Sequence, residues 1–83
     1  MADVIVYGAG WCPSTQDTIR HLKGIGVQYK YIDIDDDRKA ARWVAQHNGG
    51  KEKKPTIDVG GEVLSTPSNE ELDRVLAAKG ITT

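Results

Sequence analysis

One residue in the chain carries a redox sulfur that can act as a nucleophile. Cys12 lies in Trp11-Cys12-Pro13-Ser14-Thr15, directly after the apolar run Val4-Ile5-Val6-Tyr7 and the break Gly8-Ala9-Gly10. That context puts a thiol where a strand ends and a helix begins. A helix N-terminus presents unpaired backbone N–H groups and the positive end of the helix dipole. Both favour the thiolate, which is the reactive form. Pro13 supports the helix start, because a proline in the first turn lacks only an N–H that would have no partner there. The position three residues on is Thr15, so no second thiol can close an internal disulfide. The Thr15 hydroxyl is either a donor to the Cys12 thiolate or an ordinary first-turn side chain.

Other residues sit where they could serve such a thiol. Trp11 either stacks on a substrate or is exposed without a role. Lys51, Lys53 and Lys54 form a basic loop that is either solvated or, through Lys54 beside Pro55, placed to meet a carboxylate. Thr66, Pro67, Ser68 and Asn69 precede a helix. Its free N–H groups suit an anion or a sugar hydroxyl, although capping alone also accounts for these residues. Several other patterns fail. Gly8-Ala9-Gly10 has Pro13 where a dinucleotide fingerprint needs its third glycine. The acidic run from Asp33 to Asp37 has Arg38 and Val44 where a calcium loop needs Gly and Glu. His21 lies nine residues along the helix from Cys12, roughly 13 Å at the usual rise, too far to act as its base. One cysteine and two scattered histidines make no zinc site within the chain.

Composition bounds what these residues can belong to. The 83 residues read as one small domain, 39% hydrophobic and 28% charged, as a soluble globular chain requires. Eleven basic and twelve acidic residues leave a net charge of −1, so no basic excess points to nucleic acid. No apolar run is long enough to span a bilayer, and none follows a charged start as in a signal peptide. A free thiol without a disulfide fits a reducing cytoplasm.

The elements that must position Cys12 follow from periodicity. Val4–Tyr7 reads as a buried strand and Pro13–Lys23 as a helix with Ile19 and Leu22 inward. Val27–Asp33 reads as a second strand. Asp36 or Asp37 caps a helix carrying Ala40, Trp43, Val44 and His47 on one stripe, with Trp43 in the core. Asn48-Gly49-Gly50 stops it. Residues 55–59 and 62–65 form a hairpin around Gly60-Gly61. Ser68 or Asn69 caps a last helix with Leu72, Val75 and Leu76 inward, and Ser68 with Glu71 has capping-box spacing. The order β-α-β-α-β-β-α implies a parallel βαβ pair, then an antiparallel hairpin. The result is an α/β fold with a four-stranded mixed sheet and three helices.

That order, with Cys12-Pro13 at the first strand–helix junction, Tyr31-Ile32-Asp33-Ile34-Asp35 ending the second strand and Pro55 opening the third, resembles the thioredoxin fold in its glutaredoxin form across essentially the whole chain. The segment Thr66-Pro67-Ser68-Asn69-Glu70-Glu71 is closer to the mycoredoxin branch, whose members use mycothiol, than to the glycine pair and aspartate of glutathione-dependent glutaredoxins. The resemblance implies a monothiol thiol–disulfide oxidoreductase that reduces protein–small-thiol mixed disulfides. Cys12 and Thr15 would be catalytic. Trp11, Pro13, Lys54, a cis Pro55, Thr66, Pro67, Ser68 and Asn69 would contact the substrate. Mycothiol or glutathione would be co-substrate, with no tightly bound cofactor, and the protein would be a monomer. Two alternatives use the same residues: a dimer holding an iron–sulfur cluster through Cys12 and two small thiols, and a redox-inactive adaptor. The chain departs from the family pattern in three places. Thr15 replaces the second cysteine, Lys53-Lys54 replaces Thr-Val before the proline, and Gly8-Ala9-Gly10 lacks the usual upstream basic residue.

Overall fold

The structure, a computed structural model, describes residues 3–82. Its elements are β1 (Val4–Gly8), α1 (Pro13–Gly24), β2 (Lys30–Asp33), α2 (Arg38–His47), β3 (Thr56–Val59), β4 (Glu62–Ser65) and α3 (Asn69–Ala78). The sheet order is β2-β1-β3-β4. β1 pairs in parallel with β2 and antiparallel with β3, and β3 pairs antiparallel with β4. This is the mixed four-stranded sheet with three helices that the element order requires.

Alternation along β1 separates two cores, since successive side chains point to opposite faces. Val4 and Val6 join Leu22 of α1, Ile57 and Val59 of β3, and Leu72, Val75 and Leu76 of α3 in the main cluster. Tyr7 faces the other way. It packs with Ile34, Ala41, Val44 and Trp43, and its ring stacks on Trp43 at 4.6 Å between centroids. Trp43 is therefore half-buried, the lid of a small second core beneath α2. His47, expected on the inward stripe of α2, is exposed and bonds the Trp43 carbonyl at 2.8 Å. It lies in the last turn, beyond the reach of the three-residue core that α2 covers.

Two strand starts differ from the sequence expectation. β2 begins at Lys30 and not at Val27. The Val27 N–H closes the end of α1 on the Leu22 carbonyl at 3.0 Å, so it is unavailable to a ladder. Pairing with β1 starts at Ile5 opposite Lys30. β3 begins at Thr56, one residue after Pro55, which has no N–H to donate. The capping residues are Asp37, which accepts from the Ala40 N–H at 3.0 Å, and Ser68, which accepts from the Glu71 N–H at 3.1 Å. Gly60 and Gly61 both have positive φ, as a two-residue hairpin turn requires.

One contact fixes how closely α1 lies on β1. Thr15 is fully buried, and a Cβ added at Gly8 would come within 2.5 Å of both its methyl and its hydroxyl. Gly8 is thus a close-approach glycine. Gly8→Ala should destabilise the fold by about 1–3 kcal/mol, the usual range for overpacking. Adding Thr15→Ala should recover part of that loss. Urea unfolding of the two variants against the parent measures both effects.

Candidate active site

Cys12 is the N-cap residue of α1, in extended conformation, with Pro13 in the first turn. Its N–H bonds the Ala9 carbonyl and its carbonyl accepts the first helical bond, from Gln16, both at 3.0 Å. N-caps ordinarily carry an oxygen that accepts from the second or third helical N–H. Here no side-chain hydrogen bond closes the helix, and the N–H groups of Ser14 and Thr15 are left to the sulfur. Partial burial pushes the thiol up. That effect is outweighed by the Thr15 N–H, the Thr15 hydroxyl, the Ser14 N–H and the charge of Lys54, which together hold the thiol below its ordinary value. The Thr15 hydroxyl oxygen accepts from the Ala9 N–H at 3.4 Å, so its hydrogen is free for the sulfur.

The loop carrying Cys12 is tied to the end of β2. One Asp33 carboxylate oxygen accepts from the Gly10 N–H at 3.2 Å and the Tyr31 hydroxyl at 3.1 Å. The other accepts from the Asp35 N–H at 2.9 Å. Asp35 in turn accepts from the Trp11 indole N–H at 2.7 Å. The Asp35 N–H, helped by the Gly10 N–H and the Tyr31 hydroxyl and opposed by burial, sets the Asp33 carboxyl below its ordinary value. Tyr31 is pushed up to about 12, first by burial and then by the Asp33 carboxylate it bonds.

The opposite wall comes from the loop before β3. The Thr56 hydroxyl donates to the Lys53 carbonyl at 2.9 Å and accepts from the Asn48 side-chain amide at 3.2 Å. Arg38 holds Glu52 through two bonds, of 2.8 and 3.3 Å. The Lys54–Pro55 peptide is cis. Neither backbone group of Lys54 has a partner among the hydrogen bonds of the described residues. The Lys54 ammonium lies 5.3 Å from the centroid of the Trp11 ring.

Pro55, Thr66, Pro67, Ser68 and Asn69 line one groove of about 230 Å³. Its other wall is Ser14, Asp17 and Thr18, on one face of α1. The sequence-predicted residues therefore fall into two groups. Trp11 and Lys54 flank the thiol on the Asp35 side. Pro55 and residues 66–69 face the first turns of α1 across the groove. Pro13 is exposed at the helix start and is not part of the groove lining. The Thr66 N–H is taken by the Pro55 carbonyl at 2.8 Å, and the Ser68 hydroxyl by its cap.

Sequence reasoning missed Ser14, Asp17 and Thr18, which helical spacing from Ser14 (three and four residues on) places on one face. It also missed Asp33 and Asp35 as clamps of the Cys12 loop. Their signal was an acidic strand end two residues beyond Tyr31, which reads equally well as solvated charge.

A four-stranded mixed sheet with three helices, a thiol at the first strand–helix junction and a cis-proline across a groove from the first turns of that helix define a thioredoxin-like fold built for thiol chemistry. The glutaredoxin family model matches residues 4–64. Mycoredoxin 1 of Corynebacterium glutamicum is 35% identical over 57 residues, 69% of this chain and 70% of that protein. A Mycobacterium tuberculosis protein described as a candidate glutaredoxin is 31% identical over 72 residues, 86% of each chain. The crystal structure of a glutaredoxin from Archaeoglobus fulgidus superimposes with a TM-score of 0.80 at 27% identity, over 92% of this chain and 87% of that one. The chain belongs to the glutaredoxin family, and its chemistry is that of a thiol–disulfide oxidoreductase. Among the described residues, no helix is long and apolar enough to cross a membrane.

The Asp33 clamp has a pH signature. A carboxyl held below its ordinary value stabilises the fold above that value, near 3.8, and the contribution is lost as pH falls through the folded value. Asp33→Asn should therefore be less stable than the parent at pH 6, and the gap should close as pH drops below 3.8. Urea midpoints between pH 6 and pH 2 read this directly. A gap that stays constant over that range contradicts the clamp.

Proposed function

We propose that this protein is a monothiol oxidoreductase that reduces mixed disulfides between proteins and a low-molecular-weight thiol, with mycothiol preferred to glutathione. Residues 1–83 act as one domain, as a monomer in the cytoplasm, with no tightly bound cofactor. The observation that carries the reading is the Cys12 sulfur at the open N-terminus of α1 with a polar groove close by.

The Cys12 thiolate attacks the small-thiol sulfur of the mixed disulfide. A bond forms between the two sulfurs, and the protein sulfur leaves as a thiolate that takes a proton from water. A second molecule of the small thiol, as thiolate, attacks the small-thiol sulfur now held on Cys12. This releases the symmetrical small-thiol disulfide and restores the Cys12 thiolate. The second small thiol is the reductant, so no second cysteine is needed. Thr15 donates its hydroxyl hydrogen to the thiolate and holds the first turn. Pro55, with the unpaired backbone of Lys54, docks the thiol-bearing unit, while Trp11 and Pro13 border the approach.

The groove supports the choice of thiol. Its lining offers the hydroxyls of Ser14, Thr18, Thr66 and Ser68 and the amide of Asn69. Among the described residues that line it, the one charged side chain is Asp17, whose carboxylate pairs with Arg20 at 2.9 Å. Sugar hydroxyls can donate to that carboxylate and share bonds with the others. No cation is among the described residues that line the groove, so it offers the carboxylates of a peptide thiol no direct ion-pair partner.

Two variants test the mechanism. Cys12→Ser should lose reduction of a mixed disulfide while keeping its fold; turnover above background would refute the assignment. Thr15→Cys should gain an internal disulfide after oxidation, seen by mass spectrometry, and gain activity toward protein disulfides without faster turnover of small-thiol mixed disulfides. Chemical-shift titration with each thiol's symmetrical disulfide should move Thr18, Thr66 and Asn69 with mycothiol at lower concentration than with glutathione. The reverse order would overturn the choice of thiol.

A further inference from the structure

We propose that Trp11 and Lys54 act as one unit, with the indole as a platform that holds the Lys54 ammonium beside Cys12 and so supplies the cation missing from the upstream loop. The proposal rests on Cys12 being the reactive thiolate of the proposed function. It makes Trp11 a positioning residue acting through Lys54, and it gives the lysine before Pro55 a task for the thiol itself.

Four observations carry it. Trp11 is 66% exposed and belongs to neither core cluster, so packing does not account for its placement. Its ring is nevertheless fixed, because the indole N–H donates to Asp35 at 2.7 Å and the Asp35 N–H is itself held by Asp33. The Lys54 ammonium lies 5.3 Å from the ring centroid, within cation–π range. The backbone beneath Lys54 is anchored on both sides, through the Lys53 carbonyl to Thr56 and through the Pro55 carbonyl to the Thr66 N–H. An anchored backbone and a hydrogen-bonded ring favour a path of the long side chain over Trp11, the residue that precedes Cys12.

Charges around the thiol agree with this arrangement. The first turn of α1 holds no acidic residue. From the end of β2, Asp33 and Asp35 face the loop, but both are engaged by N–H donors and Asp35 by the indole. Lys54 forms no ion pair among the described residues. Its charge is one of the influences that lower the Cys12 thiol. Asp35 would otherwise attract the ammonium, and the indole N–H occupies that carboxylate instead. Gly8-Ala9-Gly10 has no cation before the cysteine, and the loop before β3 brings one from the other side.

The test is the rate of Cys12 alkylation by iodoacetamide, a neutral probe, as a function of pH. It uses the parent, Lys54→Met, Trp11→Ala, the double variant, Trp11→Phe and Lys53→Met. Lys54→Met should slow alkylation at pH 7 about threefold and move the midpoint upward, as expected for loss of one partly screened charge. Trp11→Ala should shift the curve in the same direction, and the double variant should match Lys54→Met, since both changes remove one effect. Trp11→Phe, which keeps a ring, should lie between Trp11→Ala and the parent. Lys53→Met should follow the parent. In 1 M salt the parent should approach Lys54→Met. Thermal melting of each variant checks that the fold is retained. An unchanged curve in Trp11→Ala, or effects that add in the double variant, would overturn the proposal. Alkylation needs no small-thiol substrate, so an inactive parent with intact coupling would count against the proposed function and not against the pair.

Discussion

The open N-terminus of α1 is the constraint around which the molecule is arranged. A helix leaves its first N–H groups without partners, and most helices give them a side-chain oxygen. In this chain the cap residue is a cysteine, and Ser14 and Thr15 present their N–H groups to its sulfur. A neutral thiol is a poor acceptor and a thiolate a good one. The helix is thus best capped when Cys12 is ionised, which couples the chemistry to the fold at one atom. Much of the surrounding structure keeps that junction in place. Gly8 lets α1 approach β1, Thr15 fills the gap, Asp33 ties down Gly10, and Asn48 with Thr56 fixes the loop across from the sulfur.

The two sides of the junction differ in chemistry. On one side lies a groove of hydroxyls, an amide and one carboxylate. On the other lie a cation and an indole, anchored to an acidic strand end. Under the proposed function, the nucleophile between them would meet a polar small thiol on the groove side. The electrostatic help for its own charge comes from the lysine side. Separating these tasks removes the need for a carboxylate-binding cation inside the groove. It also gives a physical reason why a chain with Lys53-Lys54 before the proline can do without a basic residue before the cysteine.

Much of this was legible in the residues. The strand–helix junction at Cys12, the hairpin at Gly60-Gly61 and the caps at Asp37 and Ser68 are local, so neighbouring residues suffice to specify them. The family pattern supplied the facing pieces, Pro55 and the 66–69 segment, and the structure sets them along one groove with α1. What escaped was long-range and polar. Asp33 and Asp35 reach back 23 and 24 residues to Gly10 and Trp11, and nothing in an acidic run distinguishes a clamp from solvated charge. The early start assigned to β2 had a related cause. Val27 and Tyr29 alternate as a strand would, but the Val27 N–H was already committed to closing α1. His47 kept helical spacing past the point where α2 has a core to cover.

Direct titration of the Cys12 thiolate tests the central claim, that the helix terminus and its neighbours keep the sulfur ionised more readily than a free thiol. Thiolate absorbance near 240 nm, followed against pH with Cys12→Ser as the blank, isolates this single group, since no other cysteine is present. A midpoint clearly below the ordinary thiol value near 9 is the predicted result. A midpoint at or above that value would mean that burial dominates at the sulfur, and the physical basis for a reactive Cys12 would be lost.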